Sequence, residues 1–371
     1  MSRVLQILPR VPPAVCGIGD YAWGIARKLR DEHGTHCCFL AAGTTWTQPV
    51  GETEFPVFRL PELSAKALVE FVAARKDEFQ SVVLHLSPYG YQKRAVPFWL
   101  ASGWRQLSQM PGRPRLITMF HELYATGSVR SSAFWLQPLQ KWVLRTVARA
   151  SDGLRTNRQG YADWLQGIAG LKTAQVEVMP VYSNFGEPEI LPSWNEREPA
   201  MALFCWGIHS GESLETVVRK AAAHCQRFGL RRLHLMGCKQ ELEPDQPQVE
   251  YVRHGFLESA ALSRLLLSCR MAYTAYSPLH FGKSTLVAAF AAHGLVMITQ
   301  GMSAALPDGL NDGLNVLNES SLDGHLIQAE PLAEVGVSLR HWYDQHSLDQ
   351  NTRSYSSQIK RLVGSSVSPC P

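Results

Sequence analysis

The sequence predicts an α/β protein made of two doubly wound, Rossmann-like domains, each with a parallel sheet covered by helices. At 371 residues the chain is longer than a single core usually organises, so two domains are expected. Short runs rich in Val, Ile and Leu alternate with longer amphipathic stretches, which is the pattern of βα units around a buried parallel sheet. The pattern stops once, in a segment with three prolines at 184–199, and then restarts.

We place the domain boundaries from this interruption. The first domain is predicted to span 1–190 and the second 191–335, while 336–371 is predicted to be helical and to cross back to the first domain. Strands are predicted at Val4–Leu8, Cys37–Ala41, Val82–Leu86, Leu116–Phe120, Val176–Met179, Leu203–Trp206, Leu233–Met236, Met271–Ala275 and Val296–Thr299. Helices are predicted at Asp20–Asp31, Ala65–Ala74, Phe134–Ala150, Gly160–Ala169, Leu214–Arg227, Ser259–Ser268 and Ser284–His293.

Composition narrows the class of protein. With 45% hydrophobic and 18% charged residues the chain has the make-up of an ordinary globular protein. The net charge of +4 comes from Lys and Arg spread along the chain, so we expect no nucleic-acid partner, only enough basic character for phosphates. The eight cysteines lack the Cys-x2-Cys spacing of a zinc or redox site, which predicts reduced thiols in a cytoplasmic protein and no metal.

The sequence also lacks the patterns that direct a protein into or across a membrane. The chain runs from Met1 directly into a strand-like segment without the features of a signal peptide, so secretion is not expected. Its apolar runs are well short of the roughly 20 residues that a membrane span needs. Any membrane contact is therefore expected to be peripheral, at the inner face.

The first candidate site is the loop that leads from the opening strand into the first helix. Gly17 and Gly19 would let backbone N–H groups approach a phosphate at the start of that helix, and Asp20 follows them. The loop also scans as the Gly-x-Gly-x-x-Ala form of a dinucleotide fingerprint. We reject NAD binding, because eight residues separate Leu8 from Gly17 and no acidic residue ends the second predicted strand.

The second candidate site follows the predicted strand Leu116–Phe120. His121 could hydrogen-bond a sugar hydroxyl or a phosphate, and Glu122 could orient it or act as a base. The alternative is a histidine that is simply satisfied by backbone groups at the end of a strand.

The third candidate site opens the predicted helix Ser284–His293. Gly282 frees the backbone, Lys283 supplies a positive charge, and Ser284 and Thr285 offer hydroxyls beside the helix N-terminus. The tail of a Walker A loop looks similar, but Ser277 stands where its leading glycine belongs, which disfavours an ATPase. The plainer alternative is that Ser284 only caps the helix and Lys283 is solvated.

Together these stretches resemble the GT-B glycosyltransferases, in particular the retaining enzymes of family 4, over nearly the whole chain. The prolines 12 and 13 with Gly17 to Ala22 resemble the family's N-terminal glycine loop, and His121 is placed like its histidine of the cleft. The segment Tyr251–Phe256, followed by a helix, a strand and Gly282 to Gly294, repeats the order of the family's nucleotide-binding domain. The resemblance implies that Arg253 and Gly255 contact the nucleotide.

The sequence also departs from the family. Its usual Glu-x7-Glu pair falls on Phe281 and Ala289, so both carboxylates are missing. The Arg and Lys pair expected for the diphosphate is absent from Trp206–Glu212. Lys283, Ser284 and Thr285 are then the candidates to bind the diphosphate instead.

The resemblance implies a GT-B fold, two domains facing a cleft, and transfer of a hexose from a nucleotide diphosphate sugar. The donor is a substrate, and no cofactor or metal is expected. The acceptor is expected to be a hydroxyl of a growing polysaccharide or a lipid-linked glycan, and the anomeric configuration is expected to be retained. The alternative is a catalytically decayed GT-B protein that acts as a nucleotide- or sugar-binding partner subunit.

Overall fold

The chain forms two compact units, each built on its own parallel sheet. The computed structural model describes residues 2–14, 16–44, 53–125, 132–173, 175–206, 211–242, 246–301, 306–324 and 328–364. Unit 1 comprises 1–180 and 351–371, and unit 2 comprises 181–350. The predicted boundaries were 190 and 335, so the structure assigns the start of the proline-rich segment and a longer C-terminal stretch to unit 2.

Unit 1 contains a seven-stranded sheet. Its strands are β1 Ser2–Leu8, β2 Thr35–Ala41, β3 Val57–Arg59, β4 Ser81–Leu86, β5 Arg115–Phe120, β6 Gly153–Thr156 and β7 Val176–Val178. Its helices are α1 Gly17–His33, α2 Ala65–Ala73, α3 Pro88–Tyr91, α4 Phe98–Gln109, α5 Ser132–Ala150 and α6 Gln159–Gln166. All neighbours are parallel, in the order β3-β2-β1-β4-β5-β6-β7.

Unit 2 contains a six-stranded sheet. Its strands are β8 Glu198–Phe204, β9 Arg232–Met236, β10 Glu250–His254, β11 Cys269–Thr274, β12 Val296–Thr299 and β13 Leu317–Asn318. Its α-helices are α7 Leu214–Arg227, α8 Ser259–Ser268, α9 Thr285–Ala292 and α10 Ala329–Asp344, with 3-10 turns at Trp194–Glu196, Pro278–Lys283 and Glu319–Gly324. The order is β10-β9-β8-β11-β12-β13, again parallel throughout.

The last helix, α11 Leu348–Gly364, begins at the end of unit 2 and continues in unit 1. Within unit 1 it covers Arg155 of β6, whose guanidinium donates to Gln358 Oε1 at 3.0 Å and to Ser354 Oγ at 2.8 Å. That guanidinium also lies 3.9 Å from the centre of the Tyr355 ring. A buried arginine is thereby satisfied by three side chains of one helix.

The cores follow from the patterns of the strands and helices. All six residues of β4 are buried, as expected of a central parallel strand with both faces covered. Helix α9 is apolar on every side, and six of its eight residues are buried. Among the described residues, no helix is both long enough and apolar enough to cross a membrane.

Candidate active site

Each sheet has one point where the chain reverses its direction of winding, and parallel α/β proteins bind ligands there, beyond the carboxyl ends of the strands. In unit 1 this switch point lies between β1 and β4, and in unit 2 between β8 and β11. Of the candidates predicted from the sequence, His121 and Glu122 directly follow the carboxyl end of β5. Lys283 ends the 3-10 turn in the loop after β11.

In unit 1, three buried polar side chains from adjacent strands form a row linked by hydrogen bonds. Gln6 lies on β1, His85 on β4, and His121 directly after β5. Gln6 Oε1 lies 2.9 Å from His85 Nε2, and His85 Nδ1 lies 3.0 Å from His121 Nε2. Polar groups this deep in a sheet are retained only when they satisfy one another.

This hydrogen-bonded row determines which ring nitrogen carries the proton in both histidines. The amide group of Gln6 donates from Nε2 to Cys37 Sγ at 3.3 Å, which turns its Oε1 towards His85. That oxygen can only accept, so His85 carries its proton on Nε2 and accepts at Nδ1. His121 must then donate from Nε2, which leaves its Nδ1 as a lone-pair acceptor.

Burial keeps both rings neutral. Desolvation lowers the pKa of His121 to about 4, with a smaller opposing effect of Glu122. The pKa of His85 lies well below its usual range, because the ring is buried and faces His121 and Arg155. At neutral pH His121 is therefore a hydrogen-bonding group of fixed polarity rather than a cation.

Tyr21 holds the other side of His121. Its ring meets His121 edge-on at 5.2 Å, and its hydroxyl donates to Asn351 Oδ1 at 2.8 Å. Asn157 Nδ2 donates to the His121 carbonyl at 3.2 Å. Glu122 is half-buried and accepts from Ser87 Oγ at 2.8 Å. His121 and Glu122 are thus each positioned by side chains that sequence reasoning missed.

The glycine loop begins α1 earlier than the prediction of Asp20, since the helix starts at Gly17. A Cβ on Gly19 would lie 2.7 Å from the Arg10 carbonyl oxygen, so only glycine fits there, whereas nothing lies within 4 Å of such an atom on Gly17. Asp20 is half-buried in the first turn, and burial raises the pKa of its carboxyl group. The loop therefore packs closely at Gly19 and is open at Gly17.

In unit 2, the loop after β11 contains a 3-10 turn that leads directly into α9. Ser284 is the N-cap of α9, and its hydroxyl accepts from the Val287 amide at 3.3 Å. The carbonyl of Gly282 accepts from the Val181 amide at 2.8 Å. Lys283 and Thr285 are half-buried at the same helix end. A hydroxyl that accepts one hydrogen bond can still donate its proton, so capping leaves Ser284 able to bind an anion.

The positions of the missing carboxylates lie inside the core. Phe281 and Ala289 are 1% and 0% exposed and belong to one cluster with Phe204 and Phe290. An ionised carboxylate at either position would be desolvated, at a cost of several kcal/mol. The apolar residues at these two positions are therefore consistent with the packing around them.

An aromatic recess lies at the switch point of unit 2, formed by residues outside the motifs that the sequence offers. It is lined by Phe204, Trp206, Tyr273, Thr274, Ala275, Tyr276, Leu286 and Phe290. Trp206 is 43% exposed, and its ring centre lies 4.8 Å from that of Phe204. Gly237, at φ +69°, lets the ring lie against the backbone, because a Cβ there would come within 2.1 Å of it. The recess therefore contains a partly exposed indole ring that packs on Phe204 and Gly237.

An ionic cluster surrounds Lys220 of α7. Its ammonium group lies 2.7 Å from Glu212 Oε1 and 3.8 Å from Glu319 Oε2, and His224 Nε2 lies 3.1 Å from Glu319 Oε1. The hydrogen bond with His224 is the main reason that the pKa of Glu319 is lowered. These charges come from separate segments of unit 2, and no motif in the sequence signals them.

Arg253 and Gly255 lie apart from the other candidates of unit 2. Arg253 is on β10, the edge strand, and its guanidinium lies 3.6 Å from Glu241 Oε1 with both side chains largely exposed. Gly255 follows that strand, and its carbonyl accepts from the Gly237 amide at 3.3 Å. Gly255 is thus linked to the backbone beneath Trp206. Four further residues of the segment after β8, 207–210, lie outside the described residues.

No protein-family model and no curated protein matches the chain. Solved structures do match. A structure described as trehalose-6-phosphate from E. coli bound with UDP-2-fluoro glucose matches with a TM-score of 0.61, 12% identity, and coverage of 97% of this chain and 99% of that chain. An alpha-glucosyltransferase in complex with UDP and DNA matches with a TM-score of 0.56, 10% identity, and coverage of 96% and 98%.

A third match differs in the activity that its description gives. A Listeria monocytogenes protein described as a UDP-N-acetylglucosamine 2-epimerase has a TM-score of 0.57, 11% identity, and 97% of each chain covered. At such low identity the likeness concerns the fold. With two parallel Rossmann-like sheets matched along nearly the full length of these proteins, the chain has the GT-B fold.

Proposed function

We propose that the protein is a glycosyltransferase that moves a hexose from a nucleotide diphosphate sugar to a hydroxyl acceptor. One observation carries the proposal: the chain matches, along nearly its whole length, structures described with UDP or a UDP-sugar analogue. The two switch points add support, since each carries polar or aromatic side chains at the end of the sheet where α/β proteins bind ligands.

In this proposal the leaving diphosphate binds at the start of α9. Lys283 supplies positive charge, Ser284 and Thr285 supply hydroxyl protons, and the helix N-terminus favours an anion. These groups would stabilise the negative charge that develops as the nucleotide departs. No metal is part of the proposed step, and the anomeric configuration is proposed to be retained.

The nucleobase would stack on the exposed face of Trp206, with Gly255 and Arg253 farther along the same sheet. A base and an indole ring are both flat and apolar on their faces, and such stacking tolerates any base. The packing of Trp206 on Gly237 and Phe204 holds the ring in place before a ligand arrives. Pre-organisation of this kind improves affinity without new contacts.

His121, Glu122 and Asp20 of unit 1 are proposed to handle the sugar and the acceptor. The lone pair on His121 Nδ1 suits a sugar hydroxyl, because the ring stays neutral and its orientation is fixed by His85. Glu122 and Asp20 are the carboxylates that could accept the proton of the acceptor hydroxyl. The acceptor is proposed to be a polysaccharide or a lipid-linked glycan, elongated in the cytoplasm at the inner face of a membrane.

A turnover assay tests the proposal. Release of free nucleoside diphosphate from sugar nucleotides is measured with and without a panel of soluble glycan acceptors. The proposal predicts release that depends on an acceptor, is strongly reduced by Lys283→Ala, and is unchanged by Lys66→Ala, which removes an exposed lysine from α2. Binding of a sugar nucleotide without turnover for any acceptor would instead support a non-catalytic binding subunit.

Epimerisation of the donor sugar is a second candidate, favoured by the likeness to the Listeria protein. It needs no acceptor and produces no free nucleotide as its main product. NMR of the sugar nucleotide after incubation separates the two candidates. Formation of a new sugar epimer without an acceptor would show that the protein is an epimerase and not a transferase.

A further inference from the structure

Helix α5 of unit 1 carries an exposed apolar stripe. Trp135, Leu139 and Trp142 are 71%, 43% and 48% exposed, and they are spaced by four and three residues, so they lie on one side of the helix. Helices of globular proteins normally direct such a row towards the core. Here the core-facing residues of α5 are a second, separate set, Val143, Leu144, Val147 and Ala148.

Two neighbouring segments extend this stripe. Phe98, the first residue of α4, is 46% exposed and meets Trp142 edge-on at 5.5 Å. The loop before α4 is tied to α5 by a hydrogen bond from Gln140 Nε2 to the Arg94 carbonyl at 3.2 Å. That loop exposes Lys93 and Arg94. We call the exposed side chains of α5, Phe98 and this loop the α4–α5 face.

The charged residues of this part of the chain are almost all basic. Residues 79–152 contain nine Lys and Arg but only two acidic residues, Glu122 and Asp152, an excess of seven positive charges in a chain whose net charge is +4. Asp152 pairs with Arg113, and the other basic side chains outnumber Glu122 by eight to one. Arg145 continues the stripe of α5 three residues after Trp142, and Arg105 lies seven residues after Phe98 on α4, both exposed. The net positive charge of this segment thus arises because acidic residues are scarce in it, while Lys and Arg are spread along the whole chain.

Exposed tryptophans beside arginines and lysines fit the boundary between lipid head groups and acyl chains. Indole rings are preferred at that depth, and basic side chains are attracted to anionic lipids. Nucleic acid would also attract the charges, but its outer surface is phosphate and gives an exposed Trp-Leu-Trp stripe little to contact. The combination of an apolar stripe with flanking cations favours the membrane.

We propose that the α4–α5 face binds the surface of an anionic lipid membrane, with Trp135, Leu139, Trp142 and Phe98 entering the head-group region. The inference deepens the membrane contact in the proposed function by naming its surface. It does not depend on sugar transfer. Binding on this face would hold unit 1 at a surface on which a lipid-linked acceptor is available.

Co-sedimentation with vesicles tests the proposal. The full chain is mixed with vesicles of phosphatidylcholine, with or without phosphatidylglycerol, and the bound fraction is measured. We expect binding that requires phosphatidylglycerol, weakens with salt, and falls about tenfold or more in the double variant Trp135→Ser/Trp142→Ser. The double variant Arg105→Gln/Arg145→Gln should lose about fivefold for each cation removed.

Matched variants control for nonspecific effects. Ile190→Ser/Val337→Ser removes two exposed apolar side chains from unit 2, and Arg219→Gln/Arg353→Gln removes two exposed arginines from other helices. Both should bind vesicles like the unaltered protein. Acceptor-dependent nucleotide release with a soluble acceptor should be the same in all four variants, so failure of the membrane proposal and failure of the transferase proposal can be told apart.

Three results would overturn the inference. One is vesicle binding that is equally strong in the tryptophan variant and the unaltered protein. Another is tight binding of duplex DNA, lost in the arginine variant, without vesicle binding. The third is self-association in sedimentation velocity that disappears in the tryptophan variant without vesicle binding, which would make the face an interface between two copies of the chain.

Discussion

Single side chains determine how His121 can act. His85 and Gln6 lie beneath it on adjacent strands and leave its Nε2 with a proton to donate inwards. Neither residue is near His121 in the sequence, so the strand-end position of His121 could be predicted but its tautomer could not. The order of the strands, β1-β4-β5, is what brings the three side chains together.

Replacement of His85 should alter activity through His121. In His85→Phe the inward acceptor for His121 Nε2 is lost, so a buried donor is unsatisfied, at a cost of about 1 to 3 kcal/mol. We expect turnover to fall and its pH dependence to change, while the affinity for nucleoside diphosphate stays constant. His224→Phe, which alters a histidine in unit 2, serves as the control. An unchanged pH profile in His85→Phe would argue against this positioning role.

Trp206 is the residue on which nucleotide affinity is expected to depend. Trp206→Ala removes the stacking face, worth about 1 to 3 kcal/mol for one base, and so should weaken nucleoside diphosphate binding roughly 5- to 150-fold. Trp206→Phe should recover part of the loss. Isothermal titration of the variants and the unaltered protein with UDP and with free diphosphate measures the change in affinity. Equal weakening for both ligands would mean that the indole does not contact the base.

At the scale of helices and strands, the prediction succeeds where a pattern is long and buried. Strand β4 and helix α7 lie at their predicted places, within one residue at either end. Helix α4 was missed although Leu100, Trp104 and Leu107 give it a helical apolar face. Gly103 weakens its helical propensity, and α4 packs closely on α2 at this residue, since a Cβ there would lie 3.3 Å from Ala65 Cα. Short edge strands such as β3 give little periodic signal.

Capping of α9 should contribute to the stability of unit 2. Ser284→Ala removes the acceptor for the Val287 amide, and loss of an N-cap costs about 0.5 to 2 kcal/mol. Ser284→Asp keeps a capping oxygen and should restore stability, but its negative charge should repel the diphosphate. Thermal unfolding and nucleotide titration of both variants separate the two roles. Weak binding in Ser284→Ala together with unchanged stability would contradict the capping role.

At the scale of the whole molecule, the buried histidines make stability depend on pH. The pKa of His121 is about 4 in the folded state, against about 6.5 when the chain is unfolded, and that of His85 is also lowered. The unfolded chain therefore binds more protons between these values. The contribution of these histidines to the free energy of unfolding is fully present above pH 6.5. It is lost as pH falls towards 4, by up to about 1.4 kcal/mol per pH unit for each histidine.

Denaturant unfolding between pH 7.5 and 4.5 measures this dependence. Among the described residues, His234, His254, His293 and His346 also have a lowered pKa, so they add to the decline. The decline should be less steep in His85→Phe, which removes one of these six groups. A slope that is identical in the variant and the unaltered protein would mean that other groups cause the acid sensitivity.

Thermal unfolding in the presence of candidate donors is the first measurement to make, because it asks whether this chain of GT-B fold binds a nucleotide diphosphate sugar. The screen covers UDP, GDP, ADP and their common sugar conjugates. A ligand at 100 times its dissociation constant adds about 2.7 kcal/mol to the free energy of unfolding. We expect a clear rise in Tm with one nucleotide, reduced in both Lys283→Ala and Trp206→Ala and retained in Lys66→Ala. No rise with any nucleotide or sugar conjugate, in a protein that unfolds cooperatively, would contradict it.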